Sequence, residues 1–134
     1  WSYFERWDEN KHFKIARKYC GLIDTDKREE NAINKHSHTD QKMFALHMYL
    51  AYLKYGFSRA TSDTSIEIRH KKLTRKEGIK IVKKYDHVFP KKYTKIYCDY
   101  FNLSKKKFDR ILNKFRNKKI FNANSKKITV RENL

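Results

Sequence analysis

At 134 residues with a formal net charge of +18, the chain has the length of one compact domain with its own core. It holds no run of 18 or more apolar residues and no charged-then-apolar leader before a cleavage site, which excludes a membrane span and an intact signal peptide for this stretch. Aromatic residues make up 15% of it and supply large side chains for burial despite the low mean hydropathy.

The chain opens at Trp1 rather than methionine and reads as a fragment of something longer. Cys20 and Cys98 stand far apart, and neither has a second cysteine at metal-ligand spacing, so they read as free thiols in a reducing cytoplasm. Charge is uneven. Residues 1–67 carry 11 Lys+Arg against 10 Asp+Glu, whereas residues 68–134 carry 22 against 5. Such a half invites a nucleic-acid or anionic-membrane reading. Lysines, however, outnumber arginines 24 to 9 and travel with nine asparagines, while bidentate phosphate recognition favours arginine. The basic half therefore reads as a solvated face, and nucleic acid is not the expected partner.

One proline and three glycines leave long stretches in which helix can continue. Asp8 is placed to cap a first helix running to about Tyr19, with Phe13, Ile15, Ala16 and Tyr19 as its apolar face and Gly21 just past its end. Leu22 to His38 is polar and aperiodic, and is expected to be a long connection. From Asp40, apolar residues including Met43, Leu46, Leu50, Leu53 and Phe57 recur at three- and four-residue intervals, predicting a second helix that Gly56 stops. His47 falls on that face and reads as a core histidine. A third helix is expected from near Ser62 to about His70.

Thr74 followed by Glu77 is a capping box, opening a helix that carries Ile79, Ile81, Val82 and Tyr85. Pro90 fits the first turn of another, ending at Asn102, with Tyr93, Ile96, Tyr97 and Tyr100 along it. Ser104 caps a last helix in which Phe108, Ile111, Leu112 and Phe115 repeat. Beyond Arg116 the pattern fades, and Ile128, Thr129 and Val130 leave the end as a frayed tail or a short edge strand. The expected fold is all-α, a small bundle of about five to six helices over residues 1–121 with a poorly structured basic C-terminal tail over 122–134.

No glycine-rich phosphate loop is present. His36, His38 and Asp40 lack further ligands at metal spacing and read as a solvated loop, so no metal is expected. No nucleophile elbow or other local catalytic motif occurs. The informative stretch is Gly56 to Arg69, GFSRATSDTSIEIR. There, unpaired N–H groups at a helix start, with Thr61, Ser62 and Asp63 nearby and Arg59 just outside, would receive a phosphate or carboxylate. Equally, Arg59 can pair with Asp63 while Thr61 or Ser62 caps, leaving a joint between two helices.

The run DQKMFALHMYLAYLKYGFSRATSDTSIEIR, followed by LTRKEGIKIVKKYD, FPKKY and LSKKKFDRILNKFR, resembles the C-terminal part of the N-acetyl sugar amidotransferases. These are PP-loop ATP-dependent enzymes of bacterial surface-polysaccharide and nonulosonate sugar biosynthesis. The resemblance covers about residues 1–121, with glycine more usual in the family at the place of Ser58. It implies a helical C-terminal domain whose N-terminal PP-loop domain and cysteine motifs lie upstream of this stretch. It also implies ATP-dependent conversion of an acetamido to an acetamidino group in LPS, O-antigen or flagellar sugar biosynthesis, with ammonia from a separate glutaminase subunit. ATP and Mg belong to the full-length enzyme, and no cofactor is expected on this stretch, which should be inactive alone. A substrate-binding role is carried over to Arg59, Thr61, Ser62, Asp63 and Arg69. The alternative is a free-standing basic helical module that binds nucleic acid.

Overall fold

The computed structural model describes residues 1, 3–37 and 41–121. Among them run six α-helices, with no strand ladder: α1 Glu9–Cys20, α2 Lys42–Tyr55, α3 Arg59–Arg69, α4 Arg75–Tyr85, α5 Thr94–Tyr100 and α6 Lys105–Phe115. A single 3₁₀ turn, Lys91–Tyr93, leads into α5. The all-α bundle expected from the sequence is thus observed. The stretch expected to be a tail, 122–134, lies outside the described residues, as do His38 and Asp40.

The helix ends follow from local chemistry. Asp8 accepts from the Lys11 N–H at the start of α1, and Ser104 accepts from the Lys107 N–H at the start of α6. The Thr74–Glu77 capping box is reciprocal: Glu77 donates its N–H to the Thr74 hydroxyl while its carboxylate accepts from the Thr74 N–H. Gly21 and Gly56 close α1 and α2 at φ of 69° and 84°, values that side-chain-bearing residues adopt only with strain. Asn102, at φ 51°, ends the α5 segment where the sequence places it.

α2 is the centre of the fold. Its Leu46 packs with Tyr97 of α5 and Phe108 of α6, and its Tyr49, Tyr52 and Leu53 pack with Phe121 beyond α6. Leu50, Phe89 and Leu112 touch both groups and join them. Full burial of a residue such as Leu53 contributes about 2 kcal/mol. The Tyr97 ring lies fully inside with its hydroxyl donating to the Lys42 carbonyl at 2.9 Å, which satisfies its one polar atom. Burial pushes the Tyr52 phenol up to about 12.

The segment between α1 and α2 is irregular, as expected, yet it is packed. Asn31, Ala32 and Ser37 are buried, Arg28 lies 3.6 Å over the Tyr85 ring, and Glu29 accepts from Lys92 and from the Tyr93 hydroxyl, each at 3.0 Å. This strap lays α1 beside α3.

Three expectations are corrected. Ile15 and Tyr19 of α1 are exposed; the inward stripe is His12, Phe13 and Ala16, with Phe13 stacked on His36 at 4.1 Å. His47 is exposed rather than in the core, because it stands one residue, about 100° of helix rotation, past the buried Leu46. Finally, α3 begins at Arg59 and not near Ser62. Thr64 lies inside the helix and donates back to the Ala60 carbonyl at 2.6 Å.

Candidate functional site

The early start of α3 has a specific cause. Ser58, at its N-cap, makes no side-chain cap bond, and the cap comes from elsewhere in the chain. Asp86, just past α4 and 3% exposed, accepts from the Ser58 N–H at 2.8 Å, the Thr61 N–H at 3.0 Å and the Thr61 hydroxyl at 2.6 Å. A buried carboxylate on the positive end of a helix is a charge-assisted cap. The N–H groups of Ser58 and Thr61, which would receive an external anion at this helix start, are thus engaged by the chain's own Asp86.

Beside this cap, Arg59 and Asp63, one turn apart on α3, form the second layer of the site. The Arg59 Nε donates to the Asp63 carboxylate at 3.1 Å, and its outer nitrogen lies 3.9 Å from Glu9 of α1. Arg59 is 7% exposed, with its guanidinium 5.3 Å over the Phe44 ring. Burial pushes the Asp63 carboxyl above its ordinary value, and Glu9 adds to that; Arg59 and the Ile33 backbone N–H act against it. A largely buried acid whose charged form is favoured mainly by one guanidinium is a costly electrostatic arrangement.

The residues singled out in the sequence therefore part company. Arg59 and Asp63 are brought together, Thr61 is turned onto Asp86, and the side chains of Ser62 and Arg69 are exposed. Arg69 forms no ion pair among the described residues; Glu67 is instead approached by Lys72 at 3.8 Å. Sequence reasoning missed Asp86 and Glu9, because both reach α3 from other elements, 25 and 50 residues from Thr61 and Arg59, and no local spacing signals them.

Asp63 lines a pocket of about 210 Å³ whose other walls include Trp7, Glu9, Asn34, Glu67 and Lys72. Three carboxylates facing one ammonium make this an acidic spot on a strongly basic chain. It offers hydrogen-bond acceptors and an indole ring to a small polar molecule, and suits hydroxyl, amide or amine donors better than phosphate. The described residues hold no cluster of three or more His, Cys, Asp or Glu side chains arranged to take a metal ion.

A family model described as LPS biosynthesis protein WbpG-like, C-terminal domain, matches residues 30–133. The chain belongs to this family. A comparison with curated proteins returned no match. The WbpG-like match takes in Arg59, Thr61, Ser62, Asp63, Arg69 and Asp86, and it continues through the stretch set aside as a tail. Trp7 and Glu9, which complete the acidic pocket, precede the WbpG-like region, so the pocket is assembled across its N-terminal boundary.

Proposed function

We propose that this chain is the C-terminal helical domain of an ATP-dependent N-acetyl sugar amidotransferase of LPS or flagellar nonulosonate sugar biosynthesis, working in the cytoplasm. The observation that carries the reading is membership of the WbpG-like family over residues 30–133; the buried Arg59–Asp63 pair beside a pocket sized for one pyranose ring supports it. In this reading an upstream PP-loop domain would bind ATP and Mg and supply an adenylyl group to the acetamido oxygen, with release of pyrophosphate. Ammonia from a glutaminase subunit then attacks the acetamido carbon, and AMP leaves.

The helical domain holds the sugar. Asp63 accepts from a sugar hydroxyl, Arg59 keeps that carboxylate ionised and oriented, and Trp7 covers the ring's apolar face. Ser62 and Arg69, both exposed, face the domain's surroundings, and Thr61 keeps the helix start in place through Asp86. No helix among the described residues is long and apolar enough to cross a membrane.

The test is AMP release by the full-length enzyme given ATP, ammonia or glutamine and N-acetylated nucleotide sugars. Asp63→Asn should lower sugar-dependent kcat/KM at least tenfold; because it also leaves the buried Arg59 facing only Glu9 at 3.9 Å, the assay is run well below the variant's own unfolding midpoint. Sugar-dependent release unchanged by Asp63→Asn would keep the reaction and remove the pocket from it. No release with any sugar, together with DNA or RNA binding that falls steeply between 50 and 200 mM salt, would favour the basic nucleic-acid module instead.

A further inference from the structure

α1 turns one face away from the bundle, and the turn that precedes it carries three aromatic side chains in the open. Trp1, Tyr3 and Phe4 are 86%, 92% and 84% exposed. The turn is ordered by hydrogen bonds: the Phe4 and Glu5 N–H groups donate to the Trp1 carbonyl at 2.8 and 3.1 Å, and the Tyr3 and Phe4 rings meet edge to face 5.3 Å apart. Glu5 pairs with Lys11 of α1. Lys11 stands four residues before Ile15 and eight before Tyr19, on one face of the helix. The pair therefore sets the aromatic turn beside the exposed Ile15 and Tyr19.

The charges around this face decide what kind of surface it suits. Its three acids are already engaged, Glu5 with Lys11, Asp8 with Lys72 and Glu9 towards Arg59. Arg6, Lys14, Arg17 and Lys18 are exposed and form no ion pair among the described residues. Lys18 lies beside the apolar row itself, its Nζ 5.0 Å from the centre of the Tyr19 ring. The core of a protein–protein interface is depleted in lysine, so four free cations set among exposed rings do not fit a protein partner well. Rings mixed with Lys and Arg suit the boundary between water and a bilayer, where aromatic groups sit at headgroup level and long cationic stems reach the lipid phosphates. The net charge of +18 complements an anionic surface of that kind.

We propose that the Trp1–Phe4 turn and the Ile15–Tyr19 face of α1 rest on an anionic phospholipid bilayer. Trp1, Tyr3 and Phe4 enter the headgroup layer, and Arg6, Lys14, Arg17 and Lys18 meet lipid phosphates. The attachment is by side chains at the surface and spans nothing. It is independent of the amidotransferase reading and uses none of the residues placed around the sugar.

The experiment mixes the 134-residue chain, and separately the full-length protein, with vesicles of phosphatidylcholine alone or with about 30% phosphatidylglycerol at 150 mM salt, and measures co-sedimentation. Both proteins are expected to bind the anionic vesicles at least tenfold more tightly than the neutral ones. Trp1 and Trp7 are the two tryptophans of the chain, so Trp7→Phe leaves Trp1 as the only indole; its emission should move to the blue and be quenched by brominated acyl chains. All further variants are at exposed positions and should keep the fold. Tyr3→Ser with Phe4→Ser should weaken binding at least fivefold and Lys14→Glu with Lys18→Glu at least tenfold, whereas Lys95→Glu with Lys106→Glu, in the basic second half, should weaken it less than threefold. Absence of binding, or an unmoved Trp1 emission, would overturn the proposal. So would equal weakening by the two pairs of charge reversals, which would make net charge alone responsible, or binding by the 134-residue chain that the full-length protein lacks, which would mean that another part of that protein covers the face.

Discussion

Asp86 holds Thr61 by two bonds at once, accepting from its backbone N–H at 3.0 Å and its hydroxyl at 2.6 Å. Through this contact the end of α4 fixes where α3 begins, and so where Arg59 and Asp63 point. Asp86→Ala would leave the Ser58 and Thr61 donors buried without an acceptor, and is expected to cost about 2–3 kcal/mol in urea unfolding. Thr61→Ala removes one of the three bonds and should cost about 1 kcal/mol. A double-mutant cycle between them should show a coupling well away from zero; additive effects would mean that Asp86 stabilises the fold by some other contact.

How much of this was legible in the sequence depends on the range of the contact. The Thr74–Glu77 box, the Asp8 and Ser104 caps and the Gly56 stop are interactions within three or four residues, and each was readable as a spacing. The start of α3 was not, because its cap is supplied 25 residues away by Asp86. Ser62 looked like the better local cap, and Asp63 was one of two equally open readings until burial placed its carboxylate on Arg59. His47 and Ile15 failed for a related reason: a periodic stripe says that a face exists, and only the neighbouring elements decide which edge of that stripe they cover.

Gly78 sits on the inner face of α4, where a Cβ would come 2.7 Å from the Cδ1 of Ile68 and no closer than 3.5 Å to anything else. That atom is the free end of a side chain and can rotate away, while alanine gains about 1 kcal/mol of helix propensity over glycine. Gly78→Ala should therefore leave the midpoint of thermal unfolding within a few degrees of wild type. Gly78→Leu has no such escape and should loosen the α3–α4 pair, read as faster amide exchange along both helices.

Asp8 both caps α1 and accepts from Lys72 at 2.8 Å. The Lys72 ammonium is the main reason its carboxyl is held down at about 2, with the Lys11 N–H second. Since this lies below the unfolded value, the stabilisation is complete above about pH 4 and is lost as pH falls through about 2. The carboxyl carbon shift of Asp8 should titrate near that value, and in Lys72→Ala its midpoint should move back towards the ordinary carboxylate range. An unmoved midpoint would assign the effect to the helix start alone.

The pH dependence at Asp63 runs the other way. Burial raises its carboxyl above the unfolded value, so the charged form is disfavoured in the fold and that penalty is relieved as pH falls through the folded value. Arg59 is the main force holding the carboxyl down. Arg59→Ala should therefore raise it further and cost stability most at neutral pH, on the order of 3 kcal/mol for an uncompensated buried charge. Part of that loss should be recovered at mildly acidic pH as Asp63 takes up a proton. Arg59→Ala combined with Asp63→Asn removes the charge altogether and should lose the pH dependence. If the single variant is equally destabilised at pH 5 and pH 8, the pair acts by packing against Phe44 and not by charge.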